Sequence, residues 1–303
     1  MVSYSQNGED VILKRAFPEG RTGFYIDIGA SHPQKLSVTK HFYDRGWRGI
    51  NVEPLKRNFD LFINDRPRDV NLNVAVGNES GSREFFEVSD YSELSTFSAE
   101  YATNLARSGH QIRSYPVPVI TGNELFAAYV DGPVDFLKID VEGNEYEVVS
   151  SIDFLRYRPR VLVIEATIPN CGFPGWNNFA SILDFEKWEP MVLQSRYHFA
   201  YFDGLNRFYV RDEDRDLLSC FHIGLSLWDN FVEHELDEKL RESEADRAAR
   251  LDVINDLAGK LRESESDRTA LLDKWRRLEN SLLVRLARRF GLIKSPFTAL
   301  IED

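Results

Sequence analysis

The stretch "FYIDIGASHP", residues 24–33, combines a short apolar run with one charged residue and an abrupt glycine. Four apolar or aromatic residues surround Asp27, and Gly29, Ala30 and Ser31 then break the run. A short apolar run bounded by glycine is typical of a buried β-strand. Glycine at the end of such a strand lets the backbone approach a ligand closely, and small neighbours keep the crevice open. The stretch therefore predicts a strand that ends at a binding site.

Further short apolar runs follow at intervals along the first 230 residues. They predict strands over residues 24–28, 49–52, 71–76, 135–139, 161–165, 191–194 and 207–210. Segments able to form helices lie between the first five strands, at 38–45, 54–64 and 143–151. Buried strands that alternate with helices predict an α/β fold with a mostly parallel sheet covered on both faces. The pair Asp203-Gly204 predicts a hairpin turn between the last two strands, and hence an antiparallel edge.

The composition limits the class of protein. The chain has 303 residues, 43% of them hydrophobic, and a net charge of −12. An acidic chain of this kind is not a general nucleic-acid binder, so we expect no nucleic-acid partner. The two cysteines, Cys171 and Cys220, form neither a disulfide framework nor a zinc pattern, which favours a reducing compartment. Because the chain shows neither a signal peptide nor a long apolar segment, we expect a cytoplasmic protein.

Residues 229–283 have a helix-forming composition and repeat themselves. The segments "KLRESEADRAARL" and "KLRESESDRTALL" begin at Lys239 and Lys260, an offset of 21 residues or three heptads. This spacing is typical of a left-handed coiled coil and predicts a homo-oligomer, whereas the alternative is a single long solvated helix. The core heptad positions are first Leu240, Arg247, Ile254, Leu261, Arg268, Trp275 and Leu282, and second Leu236, Ser243, Arg250, Leu257, Ser264, Leu271 and Leu278. The Arg and Ser residues among them leave dimer and trimer both open.

The final stretch, residues 284–303, reverses the sign of the local charge. Its basic residues, interleaved with apolar ones, are Arg285, Arg288 and Arg289. A basic amphipathic helix can lie on an anionic membrane surface, which here would be the inner face of the membrane, or contact a glycosyltransferase there. The alternative is a helix end that cations stabilise and that Gly291 and Pro296 stop. The sequence thus predicts three parts: a domain over 1–228, a coiled-coil helix over 229–283 and a tail over 284–303.

An acid at the end of the second predicted strand indicates a nucleoside ligand. Glu53 is in the position that accepts hydrogen bonds from the two ribose hydroxyls of a nucleoside. A dinucleotide site would need G-x-G-x-x-G, but residues 29–34 read Gly-Ala-Ser-His-Pro-Gln, which disfavours an NAD-linked oxidoreductase. A nucleoside without phosphates fits better, and S-adenosylmethionine is the common one. Asp27 would then lie near the amino-acid end of this cofactor.

Six segments that lie apart in the chain share one resemblance. They read "YSQNGEDVIL", "FYIDIGASHP", "SVTKHFYDRGWRGINVEP", "NLNVAVGNESG", "DFLKIDVEGNE" and "RPRVLVIEA". In this order they resemble the FkbM-type methyltransferases, from about Tyr4 to Tyr209. The resemblance implies a Rossmann-like class I methyltransferase sheet, S-adenosylmethionine as the cofactor, and an oxygen, often of a sugar, as the methyl acceptor. The segment "YHFAYFDGLNRFYV" resembles a branch found with bacterial surface-polysaccharide enzymes.

The resemblance also assigns residues to the cofactor. It implies Asp27, Gly29, Ala30 and Ser31 around the methionine part, Glu53 at the ribose, and Asn73, Ala75 and Val76 at the edge of the adenine. The sequence departs from the commonest family pattern at Ser31-His32-Pro33, where an Asn-Asp or Asn-Gly pair is usual. This departure concerns the contacts to the methionine part and leaves the fold unaffected.

Methyl transfer to a hydroxyl requires a group that helps to remove the hydroxyl proton. Asp140 and Glu165 end the fourth and fifth predicted strands, at the same edge of the sheet as the cofactor. Two carboxylates on adjacent strand ends could share Mg²⁺, which would lower the pKa of a bound hydroxyl, and Asn170 is a candidate third ligand. Without a metal, Asp140 or His198 would act as the general base.

The segment "SRYHFAYFDGLNRFY" gathers aromatic and planar polar side chains near one turn, a mixture that suits a sugar. The predicted acceptor-binding residues are His32, Tyr197, Tyr201, Asp203 and Asn206. The alternatives are an ordinary hairpin with cross-strand aromatic pairs and a histidine that closes its own loop. The sequence therefore predicts an S-adenosylmethionine-dependent O-methyltransferase for a carbohydrate of bacterial surface polysaccharide synthesis. The alternative function is a catalytically silent module that organises glycan-synthesis partners through its coiled coil.

Overall fold

A computed structural model of the chain describes residues 1–89, 94–168 and 175–290. The chain divides into two compact units, Met1–His234 and Glu235–Asp303. The strands are β1 (Val2–Ser3), β2 (Phe24–Ile28), β3 (Arg48–Val52), β4 (Val70–Leu72), β5 (Ala75–Gly77), β6 (Gly81–Val88), β7 (Ile112–Thr121), β8 (Phe136–Ile139), β9 (Val161–Glu165), β10 (Tyr197–Phe202), β11 (Asn206–Arg211) and β12 (Val232–Glu233). The helices are α1 (Glu9–Ala16), α2 (Lys40–Asp44), α3 (Lys56–Asp65), α4 (Ala99–Arg107), α5 (Gly122–Tyr129), α6 (Glu145–Ser150), α7 (Glu189–Gln194), α8 (His234–Glu279) and α9 (Leu282–Arg289).

A seven-stranded sheet in the order β10-β11-β9-β8-β2-β3-β4 organises the first unit. Strands β4, β3, β2, β8 and β9 are parallel, whereas β11 and β10 form an antiparallel hairpin at one edge. The predicted α/β fold, with its mostly parallel sheet and antiparallel edge, is therefore confirmed. From β2 the chain proceeds outwards through β3 and β4 on one side, and it returns through β8 and β9 on the other. Strand order thus reverses between β2 and β8, which is where open α/β sheets bind their ligands.

Apolar side chains fill both faces of this sheet because its central strands are apolar at successive positions. On one face Ile26 and Leu137 belong to a cluster that α5, α6 and α7 cover. On the other face Tyr25 and Phe136 stack, and they pack in a cluster with residues of α1 and α2. Trp47 also belongs to this second cluster.

Gly29 occupies the loop that follows β2, next to the loop that follows β8. Its backbone is left-handed, with φ of 81°, and a Cβ built on it would lie 1.7 Å from the carbonyl oxygen of Asp140. The amide nitrogen of Asp140 donates to the carbonyl oxygen of Ile28 at 3.0 Å. The two strand ends therefore approach so closely that only glycine fits at this position.

Two of the predicted strands differ from the structure. Residues 191–194 lie in helix α7, which has Pro190 in its first turn and buries Val192. Residues 71–76 are divided between β4 and β5, which belong to different sheets. The division falls at Asn73, whose side-chain amide donates to the carbonyl oxygens of Glu53 and Pro54, both at 2.9 Å. A run of four to six apolar residues does not by itself distinguish these outcomes.

A three-stranded sheet in the order β5-β7-β6 was not predicted from the sequence. Strand β7 contains Pro116 and Pro118, and proline within an apolar run argues against a strand because it lacks the N–H donor. Strand β6 pairs with β7 along its whole length, but β5 pairs only with Val119–Thr121. The prolines therefore lie where one side of β7 has no strand partner among the described residues.

The second unit contains the long helix predicted from the C-terminal composition. Helix α8 has 46 residues, and α9 follows it at the start of the basic tail. Residues 291–303, with Gly291 and Pro296, lie outside the described residues. The coiled coil, and the contact of the tail with a membrane or a glycosyltransferase, stay predictions. Within the described part of the chain, none of the helices has both the length and the apolar character that crossing a membrane requires.

Candidate active site

A cavity of about 230 Å³ lies at the carboxyl ends of β2, β3 and β8. Six residues predicted for the site line it: Gly29, Ser31, Glu53, Ala75, Val76 and Asp140. Gln6 and Lys138, which the sequence reasoning did not select, also line the cavity. The loop at Gly29, after β2, thus lies around one cavity with Glu53, after β3, and Asp140, after β8, where the strand order of the sheet reverses.

Glu53 presents its carboxylate at the cavity wall in a fixed orientation. One oxygen accepts a hydrogen bond from the backbone N–H of Ser31 and the other from that of Leu55, both at 2.7 Å. Ser31 itself has a left-handed backbone, with φ of 53°. Burial raises the pKa of Glu53 to about 8, although the two backbone donors act in the opposite direction. Each carboxylate oxygen can still accept a second hydrogen bond, so the group suits a ligand with two adjacent hydroxyl donors.

Lys138 connects the acids beneath the cavity. Its ammonium lies 3.1 Å from Asp140 Oδ2 and 3.5 Å from Asp27 Oδ1, and it donates to the carbonyl oxygen of Gly29 at 3.3 Å. Asp27 is fully buried and also accepts from the Thr39 hydroxyl at 3.3 Å. The signal that could have revealed Lys138 is a lysine inside the apolar run of β8, two residues before an acid.

Three residues predicted to bind the cofactor lie behind the cavity wall. Asp27 reaches the cavity only through Lys138 and the Gly29 loop. Ala30 is buried, and its N–H donates to the carbonyl oxygen of Val52 at 3.1 Å. The Asn73 side chain supports the backbone at Glu53, as described above. In the structure these side chains serve the loops that form the cavity, and their contact with a cofactor stays a prediction.

Three carboxylates gather where β8 and β9 end. Asp140, Glu145 and Glu165 each offer an oxygen atom, and these atoms lie within 4.8 Å of one another. Burial raises the pKa of Glu165 well above its usual range, and the charges of Asp140 and Glu145 add to this effect. Glu165 Oε2 is buried and has no hydrogen-bond partner among the residues that the structure describes. Carboxylates this close repel one another when they are ionised, so the cluster favours binding a proton or a cation.

Glu145 joins this cluster from the first turn of α6. One of its oxygens accepts from the backbone N–H groups of Val141, at 2.9 Å, and Gly143, at 3.3 Å, and so holds the loop that follows β8. Burial raises its pKa, and the Asp140 charge contributes. Sequence reasoning missed Glu145, because an acid in the first turn of a helix is common for reasons of helix stability alone. Asn170, the candidate third ligand, lies outside the described residues.

The comparison with known families agrees with this arrangement. The family model described as Methyltransferase FkbM domain matches residues 27–199, which include the end of β2, the cavity-lining acids and most of the central sheet. The chain belongs to the FkbM methyltransferase family. This membership supports a methyltransferase role.

Among solved structures, the chain is similar to the methyltransferase FkbM from Methylobacillus flagellatus KT, with 12% identity and a TM-score of 0.38. That match covers 68% of this chain and 48% of the other, so this chain spans about half the length of that protein. A TehB-like SAM-dependent methyltransferase from Corynebacterium glutamicum ATCC 13032 Kitasato has 9% identity, a TM-score of 0.35, and coverage of 68% of this chain and 88% of that one. No curated protein matches the chain.

Two residues predicted for the site of this FkbM-family chain lie at the opposite edge of the sheet. In the hairpin, Asn206 pairs with Glu165, whereas Tyr197 pairs with Arg211 at the far end of β11. His198 Nε2 lies 2.8 Å from a carboxylate oxygen of Asp212. The Tyr197 hydroxyl donates to a backbone carbonyl at 2.8 Å, and the side chain is buried. The structure therefore gives no support for a catalytic role of His198 or for acceptor binding by Tyr197, because the antiparallel strand begins at the edge without the cavity.

The hairpin turn itself lies at the edge where β9 ends. Asp203 shapes this turn, since one of its oxygens accepts from the N–H groups of Leu205, at 2.8 Å, and Asn206, at 2.6 Å. The Asn206 side-chain amide donates to Glu9 at 2.9 Å. Burial and the Asp203 charge raise the pKa of Glu9 to about 7. The Asn206 side chain thus holds the turn against the first residue of α1, and sequence reasoning had not found Glu9.

Two further predicted acceptor residues are engaged in local structure. His32 Nδ1 accepts from the backbone N–H groups of Gln34, at 3.0 Å, and Lys35, at 3.1 Å, so it closes its own loop. The Tyr201 ring packs against Phe208, with ring centroids 5.9 Å apart. These contacts agree with the alternatives of a loop-closing histidine and ordinary cross-strand aromatic pairs.

Proposed function

We propose that the chain transfers the methyl group of S-adenosylmethionine to a hydroxyl oxygen of a carbohydrate. The observation that carries this proposal is the Glu53 carboxylate, fixed by two backbone donors in a cavity that Gly29 and Asp140 also line. Membership of the FkbM family supports the methyltransferase part of the proposal.

The residues around the cavity fit a nucleoside cofactor. Glu53 would accept the hydrogen bonds of the ribose hydroxyls, and Ala75 and Val76 offer an apolar wall for the adenine. Gly29 and Ser31 leave room for the methionine part, because neither has a large side chain. When bound, S-adenosylmethionine supplies the electrophilic methyl group.

We propose Asp140 as the group that receives the proton that the acceptor hydroxyl loses. It lines the cavity, whereas Glu165 is buried behind it. The Lys138 ammonium lies 3.1 Å from Asp140 Oδ2, and this ion pair holds the carboxylate at the cavity. Glu165 and Glu145 bring further negative charge to the same place, which raises the affinity of the cluster for a proton.

The same carboxylates provide the proposed Mg²⁺ site. Asp140 and Glu165 would be its ligands, as the sequence predicted, and Glu145 adds a third carboxylate. Oxygen ligands are those that Mg²⁺ prefers, and the ion would lower the pKa of a coordinated hydroxyl. Dialysis against EDTA, followed by a transfer assay with and without added Mg²⁺, tests this part separately. Full activity in EDTA would leave Asp140 as the base without a metal.

A carbohydrate of bacterial surface polysaccharide synthesis is the proposed acceptor. Its support is the resemblance of "YHFAYFDGLNRFYV" to the branch associated with such enzymes. The turn of this segment, which Asp203 shapes, lies at the edge of the sheet where Glu165 ends β9. A sugar bound near this turn would have its hydroxyl close to the carboxylate cluster.

Calorimetric titration of the full chain with S-adenosylhomocysteine is the first test. We expect saturable binding that Glu53→Ala weakens about 10- to 100-fold, because a hydrogen bond to a charged group contributes about 1.5–3 kcal/mol. Glu186→Ala is the matched control, since Glu186 is exposed and does not line the cavity. Absence of binding to the folded wild-type chain would contradict the proposal.

A further inference from the structure

Helix α8 exposes apolar side chains along its whole length. Leu240, Leu257, Leu261 and Leu271, all at core heptad positions, are 55%, 59%, 62% and 65% exposed. A long helix in water gains most of its stability when an apolar face packs against another element, because its backbone alone contributes little. Large side chains left half-exposed in two rows at heptad spacing are typical of a helix that has a partner.

Each copy of the 21-residue repeat places the same charges beside the heptad core. Lys239 and Lys260 precede a core leucine, at position g, and Glu244 and Glu265 follow a core serine, at position e. In a parallel two-stranded coiled coil, a residue at g faces the residue at e of the next heptad on the other helix. Lys239 would therefore face Glu244 of a second copy, and Lys260 would face Glu265. Among the g and e positions of α8, this alignment brings no two like charges together.

The arginines in the core have partners in the same alignment. Arg247 and Arg268 occupy one core position, and each directly follows an aspartate at position g, Asp246 or Asp267. In the parallel arrangement these aspartates flank the corresponding arginine of the other helix. Arg250, at the second core position, pairs with Asp246 of its own helix at 2.8 Å. The arginines that weaken the apolar core of the coiled coil thus have aspartate partners beside that core.

The number of strands follows from the same arginines. In a coiled coil of two helices the edges of the core are open to water. A guanidinium group can therefore reach water while its methylene stem stays in the core. The core of a coiled coil of three or more helices is more enclosed. The three core arginines, Arg247, Arg250 and Arg268, would lose more hydration there. Alignment shifted by 21 residues would also match the charges, but it would leave one repeat of each helix without a partner.

We propose that α8 forms a parallel, in-register coiled coil with α8 of a second copy of this chain. The homodimer joins two FkbM domains through their C-terminal helices, and it does not depend on the proposed cofactor or acceptor. Ser243 and Ser264 leave two weak layers in the seam, so dimerisation is expected to depend on protein concentration.

Light scattering during gel filtration of the full chain tests the assembly. We expect twice the mass of one chain at micromolar concentration, and the mass of one chain for the double variant Leu240→Glu/Leu261→Glu. Ala245→Glu/Ser266→Glu is the matched control, because it introduces the same two charges on the outer face of the helix and should remain a dimer. Binding of S-adenosylhomocysteine, or the circular dichroism spectrum if binding is absent, shows that each variant is folded. A monomeric wild-type chain, or a trimer, would overturn the proposal.

Cysteine cross-linking tests the orientation and the register. In a Cys171→Ser/Cys220→Ser background, Leu236→Cys places a thiol at a core position close to the start of α8. The two thiols meet in a parallel in-register dimer, so mild oxidation should give a covalent dimer. In an antiparallel or shifted alignment they lie far apart, and a lack of cross-linking in a dimeric sample would overturn the orientation. Ala245→Cys, on the outer face, is the control that should stay uncross-linked.

Discussion

The Lys138 ammonium lies 3.1 Å from a carboxylate oxygen of Asp140 and is buried beneath the cavity. On its other side it faces Asp27, whose pKa burial raises and Lys138 lowers. Lysine at this position therefore compensates two acids that would otherwise repel each other.

Lys138→Met is expected to destabilise the fold. Removal of one partner from a buried ion pair leaves an uncompensated charge, and the loss is about 3–5 kcal/mol in the free energy of unfolding. Urea unfolding of the full chain measures this loss. Lys187→Met is the control, because Lys187 is exposed and its removal should change the value by less than about 0.5 kcal/mol. Equal stability of the two variants would contradict the role given to Lys138.

Gly29→Ala is expected to destabilise the chain more than the same change at Gly20. Both glycines are left-handed, with φ of 81° and 84°, so alanine at either position is strained by about 1–2 kcal/mol. At Gly29 the added methyl group also meets the carbonyl oxygen of Asp140, whereas at Gly20 no atom of the described residues lies within 4 Å of it. Urea unfolding of the two variants isolates the clash. We also expect only Gly29→Ala to weaken binding of S-adenosylhomocysteine, since the strand ends must separate.

The raised pKa of Glu53 predicts the pH dependence of cofactor binding. Its pKa is about 8 in the folded chain against an ordinary value of 4.5, so the folded chain holds a proton that the unfolded chain has lost between these values. The contribution of Glu53 to stability therefore falls as the pH rises from 4.5 towards 8.

Ribose hydroxyls prefer the ionised carboxylate, so affinity for S-adenosylhomocysteine should rise with pH until about pH 8, by up to about tenfold per pH unit. Calorimetry between pH 6 and pH 9 measures this slope. Glu53→Gln should bind more weakly and lose most of the pH dependence. A wild-type affinity that is flat over this range would show that Glu53 is ionised throughout or does not contact the ligand.

Several elements of the fold could be predicted because each carries its own local signal. Strands β2 and β9 are short apolar runs, and Glu53 lies at a strand end where an acid has a known use. Residues 191–194 gave the wrong element, because a four-residue apolar run fits a buried helix turn as well as a strand. Strand β7 was missed because its two prolines hide the pattern.

Some residues of the site, like some elements of the fold, carry no local signal in the sequence. Lys138 and Glu145 act through partners that are distant in sequence or hidden in loops, so no periodic pattern marks them. The edge of the sheet at which His198 lies could not be predicted, because a motif does not reveal the direction of its strand. Only the register of β11 against β9, with Asn206 opposite Glu165, shows which end of the hairpin adjoins the site.

Asp140→Asn separates catalysis from cofactor binding. Asparagine has the same shape but cannot receive a proton, and loss of a general base lowers the rate about 10²- to 10⁴-fold. Formation of S-adenosylhomocysteine in the presence of a bacterial surface-polysaccharide preparation measures the rate, and calorimetry measures binding, which should remain. His198→Ala is the control that should keep both, because His198 lies at the opposite edge of the sheet. Two results together would favour the catalytically silent assembly module. The wild-type chain would bind S-adenosylhomocysteine, and its rate of methyl transfer would be no higher than that of Asp140→Asn.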